Sequence, residues 1–274
     1  MRYDGSTKSN LWNNKIKHDC ISQKVLFTIR NNRVDLYHKG GLLFRFDSNE
    51  YRTHIKYASV ITSEKEDKEY LTEKQLSNYP LVSDFETNYK RIKENCSKYS
   101  GDEAKGVSAI YHKHSFLSKC NVVVLDIEVS FESEEKDKKQ DRIDIVLFNK
   151  TTKTLQFVEA KHFSNKEIWS NDTPKVLNQL KRYELQIERR KSEILIEYIE
   201  LMRTLNRIFD LSLPKPVDFN EHVTLLIFGF DNDQKNGRLN KLIIKNPKYK
   251  GLKIYSKGNI KDVDPENIWN AKEL

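Results

Sequence analysis

Cysteine is scarce in this chain: Cys20, Cys96 and Cys120 lie far apart and form no CxxC pair. That spacing argues against a disulfide framework and a zinc ribbon, and implies a reducing, cytoplasmic setting. Long hydrophobic runs are missing as well. No apolar stretch approaches the roughly 20 residues that a membrane helix needs. The opening MRYDGSTKSNLWNNKIKHD lacks the apolar core of a secretory leader. The phosphate-binding GxxxxGK[ST] loop, the GxSxG elbow and the zinc-binding HExxH do not occur, which removes three common catalytic designs. GFDNDQKNG (229–237) has the look of a calcium loop but lacks the closing glutamate, and reads as a turn. Repeats and low-complexity tracts are absent.

What is present is a basic, mixed chain. Its 274 residues carry a net charge of +8, with 37% hydrophobic and 32% charged residues, the composition of a globular protein with one large or two small domains. The charge admits a polyanionic partner, nucleic acid first. Residues 24–30 and 33–38 are β-branched and aromatic runs joined by Asn31-Asn32, and 42–47 completes a three-stranded meander, with a further strand in 50–61. The charged stretch 62–80 reads as a linker with one exposed helix. Helical periodicity takes over at 83–100, capped by Ser83 or Asp84, and at 102–119, where Gly106 weakens it. Strands follow at 121–133, 142–149 and 155–163, then a long helix over 174–211 with a break near 188–192, and strands at 223–230 and 251–256. The fold class expected is α/β (α+β): a mixed central sheet flanked by helices.

The chemistry concentrates in TLQFVEAKHFSN (154–165). Strand alternation puts Phe157, Glu159 and Lys161 on one face. In the preceding strand Asp144 shares a face with Val146, and a hairpin through 150–153 sets it opposite 159 or 160. Two adjacent carboxylates repel unless a cation or proton lies between them. Oxygen ligands with open water positions suit Mg²⁺, which can polarise a phosphoryl oxygen, with Lys161 orienting water or stabilising phosphate charge. The alternative for Glu159 and Lys161 is a solvated strand face with a cross-strand ion pair.

Asp144, then Glu159-Ala160-Lys161 on the neighbouring strand, then QLKRY in the next helix with Gln179 and Tyr183 at i, i+4, resembles the PD-(D/E)XK nuclease superfamily, in its RecB-like branch with a QxxxY element. The resemblance covers about residues 84–256. It implies a restriction-endonuclease-like core in 81–274, with 1–80 as a β-rich accessory segment and linker. It also implies a nuclease that hydrolyses phosphodiester bonds, in DNA above all, with Mg²⁺ or a substituting Mn²⁺. Asp144 and Glu159 would hold the metal with the Ala160 carbonyl, Lys161 would be the catalytic lysine, and Gln179 and Tyr183 would position phosphate or the lysine. Ile143 stands where the family often has proline. Glu128 is a candidate third carboxylate; Asp126 and Glu103 are others. For Glu128 and Asp126 the alternative is the wet face of an edge strand. His112 and His114 lie where RecB-like members often place a metal-binding histidine, or are simply solvent-exposed. The basic helix KRYELQIERRK (181–191) can follow a phosphate backbone or be a solvated face. The alternative function is a non-catalytic nucleic-acid-binding or assembly module on the same scaffold. The N-terminal β segment would contact substrate, a protein partner or a second copy in a homodimer. The motifs do not separate DNA from RNA, endonuclease from exonuclease, or phage defence and restriction from repair.

Overall fold

The structure is a computed structural model that describes residues 5–30, 33–59, 69–78, 81–130, 142–169 and 174–274. The chain forms two compact units, Met1–Ser108 and Ala109–Leu274. That division falls later than the expected boundary at residue 80, because a helix over Tyr89–Lys98 adds Tyr89, Ile92 and Cys96 to the first unit's core. Asn31-Asn32 and residues 60–68 and 79–80 lie outside the described residues, as do residues 131–141 at the end of the strand read over 121–133. Among the described residues, no helix is long and apolar enough to cross a membrane.

In the first unit, a π-helical turn (Trp12–Ile16) leads into helix α1 (Lys17–Ile21). The strands then follow as β1 (Leu26–Arg30), β2 (Arg33–His38), β3 (Gly41–Asp47) and β4 (Glu50–His54). Helix α2 (Ile55–Ala58) ends the expected strand over 50–61, and β5 (Tyr70–Thr72) is a fifth strand inside the stretch read as linker. The sheet order β1-β2-β3-β4-β5 is antiparallel throughout. Helix α3 (Tyr89–Lys98) buries Tyr89, Ile92 and Cys96, and Tyr89 stacks on Phe44 at 6.1 Å. Asp84 accepts the Thr87 N–H one turn before α3, whose own first cap is Asn88. Asp19, nearly buried, takes Tyr89 OH at 2.9 Å and the Lys93 ammonium. Those bonds meet the requirement that a buried carboxylate be paired.

Helix α4 (Asp102–His114) spans the division and tolerates Gly106. The second unit is a mixed sheet: β6 (Val122–Ser130), β7 (Arg142–Asn149) and β8 (Thr154–His162) form the expected antiparallel meander. The apolar run reads correctly as an internal strand, β10 (Thr224–Phe228), parallel to β8, with β11 (Ile254–Lys257) parallel to β10. The order is β11-β10-β8-β7-β6, and short β9 (Asp218–Phe219), which has no sequence signal of its own, pairs with β8. Between β8 and β9 come α5 (Lys175–Arg189) and α6 (Lys191–Phe209). Pro174 precedes the first, as a residue without an N–H should, and the break falls at Arg190 (φ −107°, ψ 19°). Val176, Leu180, Tyr183 and Ile187 form the buried stripe of α5. On one sheet face Tyr198 of α6 meets Asp126. On the other, Gln156 Nε2 donates to Thr224 Oγ1 and to the carbonyl of Ile268 in the last helix (Pro265–Trp269). The calcium-loop look-alike is a helix start rather than a turn, since Asp231 and Gln234 cap each other's backbone in a capping box.

Candidate active site

The site lies where two paired strands part. β7 and β8 pair from Asn149–Thr154 to Ile145–Val158. One step further in that register, Asp144 faces Glu159. There the side chain takes over from the backbone: Asp144 Oδ2 accepts the Ala160 N–H at 2.7 Å. Glu159 is 1% and Lys161 6% exposed, while Asp144 is half-buried. The solvated-face reading of this strand therefore fails. The ion pair it invoked exists, but within the strand, between Lys161 Nζ and Glu159 Oε1 at 2.8 Å.

Lys161 also reaches Glu167 Oε2 at 2.9 Å. Sequence reasoning missed Glu167, although a local signal exists. Asn165 Oδ1 accepts the Glu167 N–H and opens a 3₁₀ turn (Lys166–Ile168), and Trp169 Nε1 closes it onto the Phe163 carbonyl at 2.6 Å. The electrostatics follow from this packing. Burial raises the Asp144 carboxyl well above the usual range, Glu159 raises it further, and Glu128 adds to the effect. Burial alone pulls the Lys161 ammonium down, but Glu159, Glu167 and Asp144 together reverse this and hold it above its ordinary value.

The other candidates divide. The pairs Ile127–Ile145 and Val129–Ile143 bracket Glu128 and Asp144 on adjacent strands. Glu128 adopts φ +54° and meets Arg142 at 3.1 Å. A left-handed non-glycine residue in a strand costs on the order of 1 kcal/mol or more. Asp126 does not lie on a wet face: it is 3% exposed, follows a register shift in β6, and accepts the Ile127 N–H and approaches Tyr198 OH. His112 stacks edge-on with Tyr111, and His114 Nδ1 lies 3.5 Å from Cys120 Sγ. Both histidines are half-buried rather than solvent-exposed. Glu103 belongs to the first unit. Among the described residues, no three His, Cys, Asp or Glu side chains come together as a metal-holding group. The groups that could hold a hard ion are the Asp144 and Glu159 carboxylates with the Ala160 carbonyl, and an ion such as Mg²⁺ there would have to keep most of its waters.

Gln179 and Tyr183 act on the strand end. Tyr183, fully buried, donates its hydroxyl to the Arg142 carbonyl at 2.5 Å, and Gln179 Nε2 donates to the same hydroxyl at 2.7 Å. Arg142 lies two residues before Asp144, so this pair braces the strand that delivers the carboxylate. Tyr183→Phe keeps the ring but removes a bond to a backbone carbonyl, and is expected to cost about 1–2 kcal/mol. Urea unfolding would measure that loss, and a variant as stable as the wild type would remove the brace. No family model, no curated protein and no solved structure matches the chain.

Proposed function

We propose that the second unit is a metal-dependent nuclease with a restriction-endonuclease-like core of the PD-(D/E)XK type, acting on the phosphodiester bonds of nucleic acid, DNA first. The carrying observation is that half-buried Asp144 is gathered with buried Glu159 and Lys161 where β7 leaves β8. Gathering two carboxylates and an ammonium group out of water is costly, and perturbed carboxyls of this kind cluster at functional sites.

In this reading Asp144, Glu159 and the Ala160 carbonyl hold Mg²⁺, or Mn²⁺ in its place. When bound, the ion supplies Lewis-acid polarisation of the phosphate and acidifies a water. Lys161, kept as an ammonium group by its two glutamates, is not a general base. It donates to a phosphoryl oxygen and stabilises the charge that develops there. Glu167 fixes the direction of that donor. Tyr183 and Gln179 hold the Arg142 end of β7, and through it Asp144. A non-catalytic nucleic-acid-binding module is the second reading, and one observation favours it: among the described residues, no third ligand-type side chain completes a metal group.

The test is incubation of the purified protein with linear duplex, circular duplex and single-stranded substrates in Mg²⁺, Mn²⁺ or EDTA. Cleavage in either ion and none in EDTA is expected. Binding without product in every metal condition would favour the second reading.

A further inference from the structure

Residues 234–261 contain nine basic side chains and no acidic one, whereas the rest of the chain carries 39 basic against 40 acidic. The net charge of the protein is therefore the property of one stretch. That stretch is built onto the sheet end where Lys161 lies. β8, β10 and β11 run parallel, so Lys161 aligns with Ile227 and Ser256, and His162 with Phe228 and Lys257. Just past this rung the chain turns at Gly229, whose φ is +82° and where a Cβ would stand 2.2 Å from His162 Nε2. Asp231 caps the following helix, which continues through Lys235–Ile244.

Two hollows border this helix. One of about 400 Å³ is walled by Asp231, Lys235, Ser256, Lys257 and Asn259 among others. The next, of about 570 Å³, is lined by Arg238, Asn240, Lys241 and Lys245 among others. Leu239 and Ile243 turn inward, while Lys235, Arg238, Lys241 and Lys245 are exposed. Arg238 lies over the Trp169 ring at 4.2 Å.

We infer that residues 235–257 form a track for the phosphate backbone of a polynucleotide, leading to the Asp144–Glu159 site and reading no bases. Its placement as an approach to that site rests on the nuclease proposal; its charge and shape do not. The ten residues of this π-helical segment rise less per residue than an α-helix would and so span under about 15 Å. Counted along a duplex axis at ~3.4 Å per step, that is room for up to about four phosphates of one strand. The asparagines and the serine between the cations supply neutral donors to phosphate oxygens. An anionic membrane is the poorer match, because a surface-lying helix needs its apolar side chains exposed beneath the cations. Here Leu239 and Ile243 are buried and Ile244 is the exposed one.

The test uses the full chain in EDTA and a labelled duplex of about 20 base pairs, with anisotropy read across a salt series. Combining Lys235→Gln, Lys241→Gln and Lys245→Gln should lower the slope of log K against log salt by about three and weaken binding at least about 30-fold near 0.15 M salt. Removing the same charge from the first unit, with Lys17→Gln, Lys90→Gln and Lys98→Gln, should leave both unchanged. Equal losses in the two triple variants, no loss in the first, or tight binding of phosphatidylserine vesicles with none of the duplex would overturn the track. Cleavage is not read in this assay. A protein that binds here and never cuts leaves the track standing and the nuclease proposal fallen, and one that cuts with no effect of these charges does the reverse.

Discussion

Asp144→Asn lowers cleavage at least about 10³-fold and, in the same variant, raises the melting temperature of the metal-free protein. The first effect follows from the proposed loss of an anionic metal ligand. The second follows from burial and from Glu159, which lift the Asp144 carboxyl in the folded state. Ionising that group costs more when folded than when unfolded. It therefore subtracts stability once the pH exceeds the unfolded value, about 3.9, and the deficit grows until the folded value is passed. Asparagine keeps an oxygen for the Ala160 N–H and removes the repulsion. Each kcal/mol recovered appears as about 2–4 °C for a chain of this size. Melting in EDTA should show nearly equal midpoints at pH 3 and a higher one for the variant at pH 8. A variant less stable at pH 8 would sink the electrostatic account, and one that cuts normally would sink the metal role.

Lys161→Met also abolishes cleavage, yet its stability changes in the opposite direction. The lysine is sealed between Glu159 and Glu167 with its side chain 7% exposed. Removing one partner of a buried pair costs about 3–5 kcal/mol, because the remaining charge loses its compensation. Methionine fills the space of the stem, so the loss is electrostatic rather than a cavity. Adding Mg²⁺ should restore more stability to this variant than to the wild type, since a cation can neutralise the two carboxylates that the ammonium no longer serves. Calorimetry with and without Mg²⁺ reads this directly. A variant as stable as the wild type would show that Lys161 contributes little to holding Glu159. The two substitutions thus share one kinetic outcome and separate by the sign of their stability change.

The second unit was largely legible in the sequence. Period-2 alternation located β6, β7 and β8, and the continuous apolar run TLLIF located a strand buried on both faces, which became β10. Register counting through the 150–153 turn puts Asp144 opposite residue 159 or 160, and the structure's register places it opposite Glu159. What failed did so for physical reasons. A register shift between Val124 and Asp126 moved Asp126 into the interior, and a one-residue bulge leaves no mark on hydrophobic periodicity. Strand β5 hid in a charged segment because three residues paired at a sheet edge need little apolar character. Glu167 lay beyond the motif, in a turn whose path depends on Asn165 and Trp169 together. Tyr183 was expected to position phosphate or the lysine, and in the structure its hydroxyl donates to the Arg142 carbonyl, a contact that no sequence motif announces.

The strand order of the first unit carries a kinetic consequence. Each strand of its sheet after β1 pairs with the one made just before it, and the β1–β2, β2–β3 and β3–β4 pairings close short loops with a small entropic cost. The second unit must bring β10 alongside β8 across both long helices, a non-local closure of the kind that slows folding. Refolding from denaturant should accordingly be biphasic. The N-terminal tryptophan, Trp12, would report the early phase, and Trp169 and Trp269 the late one. During synthesis the meander can condense while the chain that completes the other sheet is still on the ribosome.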